Sequence, residues 1–247
     1  MRYHPHNRHF QVFVQHDYEE MSLRAARYLH AKLRDKPDLL LCAATGGTPT
    51  RAYDLFARSW HHAAAVSRVR VIKLDEWGGL PPDDPGTCEA YLRRHLLDPL
   101  GVTPERYTGF RADAPDPAAE CERVAAALDD LGPPDVAVLG LGINGHLGFN
   151  EPASGLQAHP HVARLSAESL EHPMVRHAKG AELFGLTLGM GDILHARSVL
   201  LLVNGAHKRD ALRRLITGPV ATDFPASMLW LHADVTCFCD ADAAEDL

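Results

Sequence analysis

No apolar stretch in the chain approaches the roughly 20 residues that a membrane-spanning helix requires. The opening run Met1-Arg2-Tyr3-His4-Pro5-His6 has no apolar segment of the kind a secretory signal carries, so a cytoplasmic location and no membrane partner are expected. Cysteine is sparse. The five present, Cys42, Cys88, Cys121, Cys237 and Cys239, are odd in number and scattered, which argues against a disulfide framework and suits reduced thiols. Clustered positive charge is missing too: 25 Lys and Arg face 32 Asp and Glu, for a net charge of -7. A nucleic-acid surface needs concentrated positive potential, so no nucleic-acid partner is expected, and an anionic ligand has to be met by a few local cations. Internal repeats, low-complexity tracts and linker-like stretches are absent as well.

Histidine, by contrast, is abundant, with 16 in the chain, and raises the question of a metal. His4, His6 and His9 lie in a polar N-terminus, His61 and His62 end a helix-like segment, and His232 precedes Cys237-x-Cys239. None of these groups reproduces the paired-ligand spacing of a structural zinc site or the His-Glu-x-x-His of a catalytic one, so no metal is expected.

At 247 residues and 46% hydrophobic content, the chain can bury a large core. Short apolar runs predict strands over residues 11–15, 39–43, 69–74, 135–139, 183–188, 198–203 and 234–239. Helices are expected after the Asp17 cap, where Met21, Ala25, Leu29 and Leu33 form one stripe, and over 51–60, 88–97, 117–131, 205–216 and 225–232. This alternation predicts an α/β fold: a single doubly wound, mostly parallel sheet with helices on both faces, Rossmann-like, in one domain over residues 1–247.

Chemistry concentrates where predicted strands end. Residues 39–43 run into Ala44-Thr45-Gly46-Gly47-Thr48-Pro49-Thr50 with a helix behind. Strand, glycine turn and helix N-terminus make an anion cradle, because free N–H groups converge, the dipole favours negative charge, and glycine lets the backbone come close. The Thr45 and Thr48 hydroxyls can add donors, and the absence of a following Gly-Lys-Ser/Thr favours a monophosphate over a triphosphate. Lys208 and Arg209, in the first turn of the 205–216 helix, oppose its macrodipole unless an anion binds there; Lys208 is thus a phosphate candidate, with a solvated charge as the alternative. Asp75 and Glu76 follow the strand over 69–74, where such sheets hold catalytic groups, although solvated turn acids are equally compatible with the pattern.

Residues 134–152 read P-D-V-A-V-L-G-L-G-I-N-G-H-L-G-F-N-E-P, a buried strand running into a glycine-rich loop that carries Asn144, His146, Asn150 and Glu151. Polar side chains crowded onto such a loop read as an active site. Gly140-x-Gly142-x-x-Gly145 also matches a dinucleotide fingerprint, with Glu168 near the distance of a ribose-binding acid. That fingerprint needs a helix opening at its third glycine, which Gly148 and Pro152 oppose.

T-G-G-T-P over 45–49, L-D-E-W-G-G-L over 74–80 and G-L-G-I-N-G-H-L-G-F-N-E-P over 140–152 together resemble the hexosamine-6-phosphate deaminases/isomerases, a family that includes glucosamine-6-phosphate deaminase and galactosamine-6-phosphate isomerase. Weaker agreement at L-T-L-G-M-G-D-I-L, N-G-A-H-K and P-A-S-M-L-W-L-H extends the resemblance over nearly the whole chain. It implies an aldose–ketose isomerisation of a small sugar phosphate coupled to loss of ammonia, with no metal or organic cofactor. It further implies Asp75 as the carboxylate that moves a proton between C2 and C1, and His146 as the ring-opening acid/base with Glu151 and Asn144 as partners. Thr45, Gly46, Gly47, Thr48 and Lys208 match phosphate contacts, and Arg176 is a further match within residues 153–179, which align poorly. The residue types suit these tasks: a desolvated carboxylate can take a proton from carbon, imidazole can both accept and donate near neutral pH, and a remote phosphate supplies binding energy for positioning.

Two departures from the family pattern stand out. Many glucosamine-6-phosphate deaminases carry Asp where this chain has Asn144, and an amide orients by hydrogen bonding but cannot stabilise imidazolium by charge, so Glu151 is expected to do that. Asn144 and P-A-S-M-L-W-L-H resemble the galactosamine-type branch, yet Asn also occurs among glucosamine-type enzymes, which leaves the epimer open. Residues 157–165 lack the basic Arg-x-Lys pattern of the allosterically regulated hexamers and the C-terminus is short, so an unregulated enzyme is expected, with monomer and homo-oligomer both open. Two other readings share the architecture. A 6-phosphogluconolactonase resembles the Gly-x-Gly-x-x-Gly-His loop but lacks the Phe-Asn-Glu-Pro continuation. A phosphosugar-sensing effector domain needs a DNA-binding module, for which the residues before Gln11 are too few.

Overall fold

The computed structural model describes the backbone of residues 2–3 and residues 9–59, 68–178 and 182–247 in full; His4, His6, Trp60, His61, His62 and Lys179 lie outside the described residues. The strands are β1 (Arg2–Tyr3), β2 (Phe10–Gln15), β3 (Leu40–Ala43), β4 (Arg70–Lys73), β5 (Asp75–Gly78), β6 (Tyr107–Thr108), β7 (Val136–Gly140), β8 (His161–Ala163), β9 (Phe184–Thr187), β10 (Val199–Val203) and β11 (Val235–Asp240). The α-helices are α1 (Tyr18–Asp35), α2 (Gly47–Ser59), α3 (Cys88–Leu92), α4 (Asp98–Leu100), α5 (Pro117–Leu131), α6 (Ala167–Leu170), α7 (Met190–His195) and α8 (Arg209–Thr217), with a π-helical turn over Arg93–Leu97 joining α3 to α4. No described helix is long and apolar enough to cross a membrane.

The main sheet has the order β1-β2-β11-β10-β7-β3-β4-β6, and every pair in it is parallel except β1 with β2. From β3 the chain winds outward through β4 to β6; from β7 it winds the other way through β10 to β11. The boundary between β3 and β7 is therefore the switch point, where open α/β sheets leave a crevice beyond their strand ends. The loops after β4, β3, β7 and β10 leave four neighbouring parallel strands at the same edge.

Alternate residues of these strands face opposite cores. Leu40, Cys42, Leu139 and Leu201 pack with Val124 of α5 and Leu212 of α8, whereas Leu41, Ala43, Val138 and Leu200 pack with Leu29 of α1 and Phe56 of α2. Burial on both faces explains why the strands read as unbroken apolar runs. Asp17 caps α1 by accepting the Glu20 N–H, and the Met21, Ala25, Leu29, Leu33 stripe is buried as the spacing predicts. His232 is a core histidine: Nε2 donates to the Ala196 carbonyl at 2.7 Å and Nδ1 accepts from the Asp234 N–H at 2.9 Å.

The prediction of one sheet needs correction. A second, antiparallel sheet has the order β5-β9-β8, so the run over 183–188 belongs there, and Asp75 and Glu76 open a new strand. Leu74 makes the transfer. Its N–H donates to Ala43 in the main sheet at 3.1 Å, while its carbonyl accepts from Leu188 beside the second at 2.9 Å. The helix expected from Gly205 also starts later, at Arg209, after a 3-10 turn over Ala206–Lys208, and Pro225–Leu231 is 3-10 throughout.

The transfer at Leu74 is anchored by charge. Lys73 and Glu76 are both 0% exposed, and Lys73 Nζ meets Glu76 Oε2 at 2.6 Å and Glu89 Oε2 at 3.2 Å. Removing one member of such a pair strands the other in low dielectric. Lys73→Met is expected to cost about 3–5 kcal/mol in urea unfolding, and a loss below about 1 kcal/mol, the range of an exposed pair, would show that this anchor is dispensable.

Candidate active site

The turn after β3 is shaped for close approach. Gly46 has φ +104, a backbone state that favours glycine, and α2 begins at the next residue. The first amides of a helix have no partner within it, so the N–H groups at this end face outward. Tyr18 and Thr50 brace the turn by donating to the carbonyls of Gly47 at 2.8 Å and Gly46 at 2.9 Å. The hydroxyls expected to be free donors are engaged instead: Thr45 Oγ1 donates to Cys88 Sγ at 3.2 Å and Thr48 Oγ1 to Asn204 Oδ1 at 2.7 Å, the latter tying this turn to the end of β10. Either hydroxyl has to rotate before it can reach an anion.

Beyond β4 the two adjacent acids have opposite fates. Glu76 Oε1 accepts the N–H groups of Trp77 at 2.8 Å and Cys88 at 2.7 Å, while Oε2 accepts the Glu89 N–H at 2.9 Å and meets Lys73. It is consumed as an anchor for the first turn of α3. Asp75 is buried, yet its Oδ1 has no hydrogen-bond partner. Burial, then the charge of Glu76, pushes its carboxyl up to about 7, with Lys73 and the Cys88 thiol opposing.

The loop after β7 holds the second titratable group. Gly142 N–H donates to the His146 carbonyl at 3.1 Å and Gly145 N–H to the Gly142 carbonyl at 3.0 Å, which closes a turn and not a helix and so removes the dinucleotide reading. A Cβ on Gly142 would lie 2.5 Å from the His146 ring, and one on Gly145, at φ +87, would lie 2.2 Å from the Phe224 ring. Both glycines make room for aromatic neighbours. Asn144 accepts the His146 backbone N–H at 3.1 Å and donates to Glu151 Oε2 at 2.9 Å, so it orients the loop and the carboxylate, and not the imidazole ring that the sequence expectation gave it. Glu151 Oε2 stands 3.5 Å from His146 Nδ1, an ion-pair separation that does not yet meet hydrogen-bond geometry; such contacts tend to tighten when substrate binds. Glu151 Oε1 accepts from the Ser169 hydroxyl at 2.5 Å and the Ser166 N–H at 3.3 Å. Burial works to raise Glu151, but His146 beside it and the bonds from Ser169 and Asn144 outweigh that and hold it at about 2. Asn150, also in this loop, is structural, donating to the carbonyls of Leu147 and Leu188 at 2.9 Å each.

The cations differ in availability. Arg209 is committed to Glu245 and the Asp242 carbonyl, whereas Lys208 has no ion-pair partner among the described residues, and its half-buried position lowers its pKa to about 8. Arg176 is exposed and donates to the Glu171 carbonyl at 2.8 Å. Both lie within electrostatic reach of His172, a residue that the sequence reading passed over. As a lone histidine in the poorly aligning segment it carried no signal of spacing. Its ring packs on Trp77, with centroids 5.7 Å apart, and its Nε2 comes within 3.8 Å of where a Cβ on Gly46 would be.

A glycine turn at a helix N-terminus, an unpaired buried carboxylate and a histidine–glutamate pair thus leave adjacent strands at one edge. A sequence profile described as glucosamine-6-phosphate isomerases/6-phosphogluconolactonase matches residues 16–238. The chain belongs to this glucosamine-6-phosphate isomerase/6-phosphogluconolactonase family. It is 44% identical over 222 residues to an Escherichia coli (strain K12) protein provisionally named deaminase AgaI, covering 90% of this chain and 88% of the relative. Glucosamine-6-phosphate deaminase 1 of Bacillus subtilis (strain 168) is 37% identical over 232 residues, covering 92% and 95%. Among solved structures, a monomeric glucosamine-6-phosphate deaminase superposes with a TM-score of 0.88 at 35% identity, covering 95% of this chain and 98% of that one. The 6-phosphogluconolactonase of Leishmania guyanensis gives 0.74 at 20% identity over 96% and 98%, a likeness of fold alone.

Within this member of the glucosamine-6-phosphate isomerase/6-phosphogluconolactonase family, the unpaired acid has a consequence for stability. A carboxyl whose folded pKa is about 7, well above its ordinary value of about 4, binds its proton more tightly in the native state, so stability attached to it falls as pH rises from about 4 to 7. Asp75→Asn removes that cost. Its unfolding midpoint is expected to exceed that of the unmodified protein at pH 8 and to match it at pH 4; equal midpoints at both pH values would mean that Asp75 is not held in the uncharged form.

Proposed function

We propose that the protein is a hexosamine-6-phosphate deaminase/isomerase that converts glucosamine 6-phosphate or galactosamine 6-phosphate to the ketose 6-phosphate and ammonia. The observation that carries this reading is the division of labour between neighbouring acids: both oxygens of Glu76 are bonded, and Asp75 stays buried with its Oδ1 unbonded at the strand edge. The deaminase relatives, at 37% identity and more over most of the chain, point the same way.

In this mechanism the Gly46–Gly47 amides and Lys208 hold the phosphate, with Thr45 and Thr48 turning toward it and Arg176 adding charge from the rim. His146 takes the proton of the anomeric hydroxyl and delivers it to the ring oxygen as the C1–O5 bond breaks, opening the sugar, and the negative charge of Glu151 stabilises the transient imidazolium. Asp75 then removes the C2 proton from the open aldose while the 2-ammonium gives a proton to the C1 oxygen, leaving an enolamine between C1 and C2. Returning that proton to C1 gives a C2 imine, which water hydrolyses to the ketone and ammonia. No step calls on a metal or organic cofactor. Binding energy from the remote phosphate sets C2 over the carboxylate.

Ammonia release from glucosamine 6-phosphate and galactosamine 6-phosphate, with fructose 6-phosphate or tagatose 6-phosphate identified as product, tests the reading. Asp75→Asn is expected to lower kcat by about 10²–10⁴-fold. Because the base works ionised, kcat/KM is expected to rise as pH increases through about 7. Hydrolysis of 6-phosphogluconolactone without ammonia from either amino sugar would overturn the proposal in favour of the lactonase branch. The protein is further proposed to be unregulated, so substrate saturation is expected to be hyperbolic; cooperative kinetics abolished by N-acetylglucosamine 6-phosphate would contradict this.

A further inference from the structure

His172 lies outside every stretch that carries the family resemblance, and none of the proton transfers above uses it. Its ring is fixed from several sides. Trp77 packs against it at 5.7 Å, Nδ1 accepts the Met174 N–H at 3.3 Å, and Nε2 points within 3.8 Å of the Cβ position of Gly46. A ring nitrogen that accepts a backbone N–H carries no proton, so the neutral imidazole bears its hydrogen on Nε2. That donor has no partner among the described residues. Burial, then the charges of His146, Lys208 and Arg176, hold the His172 pKa at about 4, so the ring stays uncharged around neutrality.

A fixed neutral donor suits a hydroxyl better than a phosphate. A phosphate next to imidazole would favour the protonated ring, and the charge of a phosphate is already met by Lys208 and the α2 N-terminus. His172 borders the Gly46 turn on one side and is within electrostatic reach of His146 on the other. A sugar with its 6-phosphate at the turn and C1 at His146 places its middle hydroxyls between the two, and of these only the 4-hydroxyl differs in configuration between glucosamine and galactosamine. We propose that the Nε2–H of His172 donates to the 4-hydroxyl of the bound sugar phosphate and sets which C4 epimer is accepted. The proposal rests on the deaminase reading for the direction in which the sugar lies.

The test compares kcat/KM for both amino sugar phosphates in the unmodified protein, His172→Ala and His172→Gln. The unmodified protein is expected to prefer one epimer by about tenfold or more, and His172→Ala to lose that preference through a higher KM for the favoured epimer. His172→Gln keeps a side-chain N–H and is expected to recover most of the preference, while competitive inhibition by inorganic phosphate stays unchanged in both variants. Equal losses for the two epimers, or weaker phosphate inhibition in His172→Ala, would overturn the assignment and make His172 a phosphate contact or a wedge. Calorimetric binding of fructose 6-phosphate and tagatose 6-phosphate, which also differ at C4, reads the same preference without turnover. Discrimination there by a protein that releases no ammonia would end the deaminase reading and keep the role of His172; absence of discrimination alongside turnover would do the reverse.

Discussion

The Lys73 ammonium and the Glu76 carboxylate meet at 2.6 Å with neither side chain exposed, and three backbone N–H groups, from Trp77, Cys88 and Glu89, complete the shell around the carboxylate. Bringing two charges out of water is costly, and only such complete satisfaction offsets it. The arrangement fixes the point where the chain leaves the main sheet, and it pins the start of α3 against that point. It also leaves Asp75 beside the Glu76 carboxylate, with no ion-pair partner of its own among the described residues. The same contact that holds the turn together therefore helps keep the neighbouring acid protonated up to about neutral pH.

Around this turn the strand order does the rest. Because β4, β3, β7 and β10 are neighbours and parallel, residues far apart in the chain leave the sheet at one edge. Two carboxylates there are driven in opposite directions. Asp75, buried beside Glu76 with its Oδ1 unbonded, is pushed up to about 7, and Glu151, bonded by Ser169 and Asn144 next to His146, is held at about 2. Environments that separate the pKa values of two acids suit them to different tasks, and in the proposed mechanism one exchanges protons while the other stays charged. The uncharged Asn144 fits this scheme, since the negative charge next to the imidazole comes from Glu151.

The main sheet was legible because its strands are buried on both faces and so read as plain apolar runs; the Asp17 cap and the α1 stripe were visible from residue type and spacing. The second sheet was not, because β5 and β8 are short, carry polar residues and have no alternation of their own. Sequence placed two acids at a strand end without separating them. The family resemblance singled out Asp75, and the bonds of Glu76 to Lys73, Cys88 and Glu89, against an unbonded Oδ1 on Asp75, give the physical reason. The glycines of the 140–148 loop were recognisable as a turn, but their reasons, the His146 ring at Gly142 and the Phe224 ring at Gly145, exist only in three dimensions. His172 left no trace in the pattern, since its position against Trp77 and Gly46 depends on a segment with weak periodicity.

The central claim is that phosphate turn, carboxylate and histidine address one sugar at the same time. A crystal structure with an open-chain amino-sugar alcohol 6-phosphate, the reduced form of the substrate, tests this most directly. The account predicts phosphate oxygens on the Gly46 and Gly47 amides and Lys208, C2 about 3–3.5 Å from the Asp75 carboxylate, and the C5 oxygen at His146. A phosphate bound away from the Gly46 turn, or an Asp75 carboxylate directed away from C2 with Glu76 in its place, would contradict it.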